Sequence, residues 1–355
     1  MASLKETIKT PITELFNIKH PVILAGMNVA AGPDLAAAVT NSGGLGVIGG
    51  IGYKPAFLKQ QIESLKSGLN DKSAPFGVDL LLPQVGGSAR KTNKDYTGGM
   101  LPELIDVIIE TKASLFVSAV GVPPKYAVDK LHAAGIPVMN MIGHPKHVAK
   151  ALEAGVDIIC AQGGEGGGHT GDVATSVLIP RVVDLCRGKT SPLTGKPVSV
   201  VAAGGIYDGR GLAMALGYGA DAVWVGTRFV ASEEAGATKL HKNSLIKATV
   251  DSTVRTLIYS GRPLRTYRTD YVNGWEERQD EIKALCAKGI LPHWKEEAER
   301  TKAGKELPTT ATMMMLMGQC AGVIDEVQPA DQIMAEMVTM AIDVLRKTSG
   351  RIASL

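Results

Sequence analysis

The chain has 355 residues and a formal net charge of +3, with 45% hydrophobic and 21% charged residues. This is the composition of a globular protein with a sizeable core, and without a basic block it argues against a nucleic-acid partner. No stretch reaches the ~18 apolar residues of a membrane span, and the first thirty residues lack the apolar run of a signal peptide, so neither leader nor membrane anchor is expected.

In chain order, short apolar runs bounded by Gly, Pro or Asp alternate with amphipathic stretches. The runs are PVILAG (21–26), LGVIGG (45–50), FGVDLLL (76–82), LFVSAV (115–120), PVMNMI (137–142), DIICAQ (157–162), VSVVAAG (198–204) and DAVWVG (221–226). Most lack polar alternation, as strands buried on both faces of a parallel sheet do. Between them, GPDLAAAVTNSGG, PPKYAVDKLHAAG and HPKHVAKALEAG open with proline near the start and close on glycine, the punctuation of helices. Eight buried strands with helices between them predict an α/β fold, a (β/α)8 TIM barrel, with a doubly wound open sheet as the alternative.

Two insertions fit the barrel. PQVGGSARKTNKDYTGG follows the third strand as a polar loop. A mainly helical lobe, residues 229–321, lies between the eighth strand and the last helix, DQIMAEMVTMAIDVLRK. Within it, HKNSLIKATVDSTVRTLIYSG and GWEERQDEIKALCAKG both read as helical. The barrel then comprises residues 1–228 and 322–355.

In such a barrel the chemistry sits at the carboxyl ends of the strands. Gly204-Gly205 ends the seventh strand and Gly226-Thr227 the eighth. Glycines there let backbone N–H groups approach a phosphate, and a following helix start adds favourable partial charge. Asp208 suits an N-cap for the helix after the seventh strand. The sixth strand ends in CAQGGEGGGHTGD (160–172), which sets Glu165 and His169 among six glycines. GxGxxG occurs at Gly44, Gly46 and Gly49 and again at Gly166, Gly168 and Gly171, but neither match has the strand–turn–helix context and downstream acid of a dinucleotide site. Glu165 reads as a structural carboxylate tying down loop N–H groups. The spacing of Cys160, Glu165, His169 and Asp172 fits no zinc pattern. The other histidines read as structural, the run MMMLMGQ (313–319) as apolar packing, and Arg262 and Arg265 as either anion contacts or partners of acids in the lobe.

The phrases VILAGM, AVTNSGGLGVIGG, PFGVDLLLP, AQGGEGGGHTGD, VVAAGGIYDGRGLAMALGYGADAVWVGTRFVASEE and GQCAGVIDEVQPA, in this order along nearly the whole chain, resemble the nitronate monooxygenase family, formerly 2-nitropropane dioxygenases. The resemblance implies an FMN-bearing barrel that oxidises alkyl nitronates with molecular oxygen. It places Gly26 and Met27 near the isoalloxazine, Gln162 and Gly167 among the flavin contacts, and Gly204, Gly205, Trp224, Val225, Gly226 and Thr227 around the phosphate. Gly318 and Gln319 fall near the same pocket. His169 falls on the family's proposed catalytic base or substrate-contacting histidine. Asp79 stands where relatives usually carry a flavin-contacting Asn, and an ionised Asp cannot donate a hydrogen bond.

These readings imply an oxidoreductase in which His169 binds the nitro oxygens and, for neutral nitroalkanes, removes the α-proton from a flexible glycine loop. Related flavin enzymes share much of this pattern. An NAD(P)H-dependent reductase of a quinone or enoyl thioester is therefore the second reading, and a non-enzymatic flavin- or phosphate-binding barrel the third. The partners expected are a small nitronate and O2, with no nucleic acid and no membrane. Four widely spaced cysteines without a CxxC pair suit a reduced, cytoplasmic setting. The terminal Ala353-Ser354-Leu355 only faintly resembles the peroxisomal Ser-Lys-Leu address.

Overall fold

A computed structural model describes residues 6–352; the terminal tripeptide lies outside them. The strands are β1 (Val22–Leu24), β2 (Gly46–Gly49), β3 (Phe76–Leu81), β4 (Leu115–Ala119), β5 (Val138–Ile142), β6 (Ile158–Gln162), β7 (Gly168–His169), β8 (Ser199–Ala203), β9 (Ala222–Val225), β10 (Thr253–Thr256) and β11 (Leu264–Tyr267). Eight of them form one parallel sheet in the order β1-β9-β8-β6-β5-β4-β3-β2. A parallel bridge between Ile23 and Leu45 joins its two edges, so the sheet closes into the expected barrel.

Alternation along each strand divides the apolar residues between two cores. Ile23, Val47, Leu115, Val117, Met139, Ile158, Cys160, Val201 and Trp224 fill the barrel interior, where Ile12 and Phe16 of the N-terminal helix (Pro11–Phe16) pack with them. Val22, Leu24, Ile48, Val78, Leu80, Phe116, Ile159 and Val223 point outward and bury the apolar faces of the helices. Burial on both faces explains why these strands lack polar alternation. The 20-residue helix Ala330–Ser349 closes the outer ring against the helix Gly209–Gly217. A Cβ at Gly209 would lie 2.4 Å from the backbone of Met337 and Ala341, so only glycine permits this approach. Among the described residues, no helix is long and apolar enough to cross a membrane.

One element of the segment 229–321 departs from expectation. Only the first six residues of HKNSLIKATVDSTVRTLIYSG (241–261) are helical, as the end of the helix Lys239–Ile246, and Thr253–Thr256 within it forms β10. The β-branched run Thr253-Val254 with Thr256 suits a strand, and β10 pairs antiparallel with β11. β11 in turn pairs with β7, setting Leu264 opposite His169 and Arg265 opposite Gly168. A hairpin of the insertion thus reaches over the barrel and adds the glycine-rich stretch as its third strand.

Candidate active site

The carboxyl ends of the barrel strands bring the singled-out residues to one mouth. Gly26 and Met27 follow β1, Asp79 lies in β3, Gln162 ends β6, Gly204-Gly205 follows β8, and Gly226-Thr227 follows β9. Gly204 and Gly205 take φ of 97° and 74°, a region that side chains rarely adopt. A Cβ at Gly204 would also lie 2.8 Å from the Gly163 nitrogen. The N–H groups of Gly205, Gly226 and Thr227 have no protein acceptor among the described residues. The short helix Thr227–Val230 starts at the second turn. Asp208 caps the helix Gly209–Gly217, accepting from the N–H of Arg210 and Gly211 at 3.0 and 3.1 Å. Two adjacent strand ends therefore present unpaired donors, the chemistry a phosphate monoester needs.

The other named residues of that run act through backbone or packing. Trp224 turns into the barrel core and Val225 into the outer core, so neither side chain faces the turns. The Thr227 hydroxyl accepts from the Gly318 N–H at 2.9 Å, which leaves its own proton free to donate. The segment Met317-Gly318-Gln319 is tied to the glycine stretch as well: the Gln319 N–H donates to the Glu165 carbonyl at 2.9 Å, and a Cβ at Gly167 would meet Met317 at 2.7 Å.

Asp79 is 3% exposed, and neither of its carboxyl oxygens has a protein hydrogen-bond partner; Oδ1 is fully buried. Burial pushes the carboxyl up to about 8, so it carries its proton at neutral pH. The protonated acid can donate, as the amide of an Asn would. A Cβ at Gly26 would lie 2.5 Å from the Cβ of Asp79, so glycine is what admits the acid. Asn28, two residues on, has φ of 48° and likewise a buried Oδ1 without a partner. A flavin mononucleotide fits this donor set. Its phosphate matches the unpaired N–H groups of the β8 and β9 turns, and its polar ring edge can satisfy the orphaned groups at the ends of β1 and β3.

The glycine stretch is locked rather than flexible, because its residues are shared between β7, the Met317 segment and Gln162. Gln162 Nε2 donates to the carbonyls of Gly167 and His169 at 3.3 and 3.2 Å. Glu165 has the structural role: its carboxylate accepts from the Thr175 N–H and hydroxyl at 3.1 and 2.8 Å at the start of the helix Thr175–Cys186. Arg265 donates to the Gly164 carbonyl and the Thr253 hydroxyl, pairing with neither acid nor open site. Among the described residues, no group of three or more His, Cys, Asp or Glu could hold a metal ion.

His169 is half-buried, with Nε2 2.8 Å from the Ser260 hydroxyl. Burial, then the nearby charges of Arg262 and Arg90, push its imidazole down to about 4. It is a neutral group at physiological pH, and a weaker base than a histidine in water. Ser260 and Arg90 escaped the sequence reading because their partners are ninety or more residues away; Arg90 contacts Gly261 across 171 positions.

The chain has clear relatives. A family model described as nitronate monooxygenase matches residues 9–340. The (3aS,4S,5R,7aS)-5-hydroxy-7a-methyl-1-oxo-octahydro-1H-indene-4-carboxyl-CoA dehydrogenase of Rhodococcus jostii is 38% identical over 76% of this chain and 69% of its own. A probable nitronate monooxygenase of Staphylococcus saprophyticus is 31% identical over 78% of this chain and 83% of its own. Among solved structures, FabK from Thermotoga maritima superposes with a TM-score of 0.80 at 31% identity, covering 98% of this chain and 100% of that one. A nitroalkane oxidase from Streptomyces ansochromogenes gives 0.76 at 25% identity, covering 95% and 99%.

Proposed function

The chain belongs to the nitronate monooxygenase family, and on that premise we propose that this oxidoreductase uses FMN to oxidise alkyl nitronates with O2, giving a carbonyl compound and nitrite. One observation carries the reading: a neutral imidazole, His169, stands in the field of two guanidiniums, Arg262 and Arg90. A nitronate arrives as an anion that has already lost its α-proton. It needs a positive field and a hydrogen-bond partner rather than a strong base, and this is what His169 and its neighbours offer. Neutral nitroalkanes, which require proton abstraction, are correspondingly poor substrates.

FMN, when bound, supplies the electron transfer between substrate and O2. Gly204, Gly205, Gly226 and Thr227 would hold its phosphate, while Gly26, Met27, Asp79, Gln162 and Gly167 would meet its ring. Asp79 holds a proton on its buried carboxyl and donates a hydrogen bond from it. Gln162, fixed by two carbonyls, keeps the His169 backbone in place. Ser260 orients the imidazole through Nε2.

The Rhodococcus relative, named as a carboxyl-CoA dehydrogenase, favours a second reading: hydride exchange between the flavin and a coenzyme A thioester or a nicotinamide. The deciding experiment uses the purified yellow protein. Oxygen uptake and nitrite release with a nitronate and no nicotinamide support the first reading. No uptake, together with rapid anaerobic flavin reduction by NADH or NADPH, overturns it in favour of the second.

A further inference from the structure

Arg262 follows the turn that carries Ser260 and reaches the far rim of the barrel. It is half-buried, and its Nη2 donates at 2.8 Å to the carbonyl of Val120, just past β4. Arg90, in the loop after β3, lies across the same turn and donates at 3.1 Å to the carbonyl of Gly261. Among the described residues neither guanidinium has a carboxylate partner. Burial and the charge of Arg90 both lower the pKa of Arg262. Each guanidinium has five donors and spends one on a carbonyl, so most of both forks remain free. Arg262 is half-buried and Arg90 exposed, so the pair has an open side from which an anion can bridge the two guanidiniums.

Two further features mark this rim. Val120 has φ of 70°, an outlier for a β-branched residue, and it is the Val120 carbonyl that holds Arg262. The charges of Lys146 and Arg262 also bear on His147, so the field extends along the connection after β5. In the barrel order, β4 lies four strands from β9, diametrically across the mouth from the β8–β9 turns. An anion here is distinct from a phosphate held at those turns.

We propose that Arg262 and Arg90 form a second anion subsite, which takes the phosphate-bearing tail of a nucleotide-type substrate or co-substrate whose reactive end passes Ser260 to reach His169. Two forked cations suit a multiply charged phosphate group better than a single carboxylate. Coenzyme A thioesters and NADPH both carry such a tail. The subsite rests on the proposed function in placing the flavin phosphate at the β8–β9 turns and shares Arg262 and Arg90 with it, but it does not require nitronate chemistry.

The test is calorimetric titration of the flavin-loaded protein with the adenosine bisphosphate fragments of coenzyme A and of NADPH, which lack reactive ends. At least one fragment is expected to bind. Arg262→Gln should weaken it at least tenfold, Arg262→Lys less, and Arg187→Gln, at an exposed distant arginine, not at all. Flavin content and circular dichroism confirm that each variant is folded. The fragment that binds more tightly names the source of the phosphate. Absence of binding by both fragments, or equal binding by wild type and Arg262→Gln, overturns the subsite. Nitronate-dependent oxygen uptake by the wild type, measured without either fragment, decides the proposed function separately.

Discussion

His169 Nε2 lies 2.8 Å from the hydroxyl of Ser260, a residue 91 positions further along the chain. The β7–β11 pairing makes this contact possible, because it lays the insertion's hairpin beside the glycine-rich stretch of the barrel. Removing the hydroxyl should free the imidazole without unfolding the site. Since a neutral hydrogen bond is worth about 1 kcal/mol net, Ser260→Ala should lower nitronate turnover about fivefold. Steady-state oxygen uptake reads this, and an unchanged kcat would remove Ser260 from the machinery.

The pH profile tests the state of His169. Its imidazole, pushed down to about 4, stays neutral across the usual assay range. With a nitronate as substrate, kcat/KM should be flat between about pH 5 and pH 7, below the ionisation of Asp79, with no break at the ordinary histidine value of about 6.5. A break near that value, abolished in His169→Asn, would show that a protonated imidazole matters.

Asp79 should give a stability signal of opposite sign to that of an ordinary carboxylate. Its folded pKa of about 8 lies above the ordinary aspartate value of 3.8. Across that window the folded state keeps the proton while the unfolded state loses it, so this residue's contribution to stability falls as pH rises from 3.8 to about 8. Asp79→Asn keeps a donor without the ionisation. Its Tm relative to wild type, in flavin-free protein, should rise between about pH 5 and pH 8. A constant difference across that range would contradict a raised pKa.

Gly204 is the position where the proposed phosphate cradle tolerates least change. A methyl there meets positive φ and a Cβ only 2.8 Å from the Gly163 nitrogen. The left-handed conformation alone costs an L-residue roughly 1–2 kcal/mol. Gly204→Ala should therefore emerge flavin-poor and less stable, as read by the ratio of flavin to protein absorbance and by thermal unfolding.

Thr227 holds Gly318 through a buried 2.9 Å hydrogen bond. Thr227→Val leaves that N–H unsatisfied, a cost of about 1–3 kcal/mol. The variant should melt lower and bind FMN more weakly, while Thr227→Ser should behave nearly as wild type.

Much of the barrel was legible in the sequence because burial on both faces leaves a local record. PVILAG, LFVSAV and DIICAQ became β1, β4 and β6 because continuous apolar runs suit strands between an inner and an outer core. Helix boundaries were legible too: Gly135 and Gly155 do take positive φ just past helix ends, and Asp208 caps where its side chain can accept two N–H groups. β10 was misread because a short β-branched run next to a real helix has no periodicity of its own, and only pairing with β11 makes it a strand.

The eight-strand frame and the glycine turns that crowd the mouth are written in local pattern, since strand burial and backbone freedom depend on neighbouring residues. The chemical state of the side chains there comes from folding alone. Folding makes Asp79 a buried acid, sets His169 as a neutral imidazole beside Ser260, and leaves Arg262, among the described residues, without a carboxylate partner. Those properties depend on desolvation and on partners that folding brings from up to 171 positions away, and no local pattern encodes them.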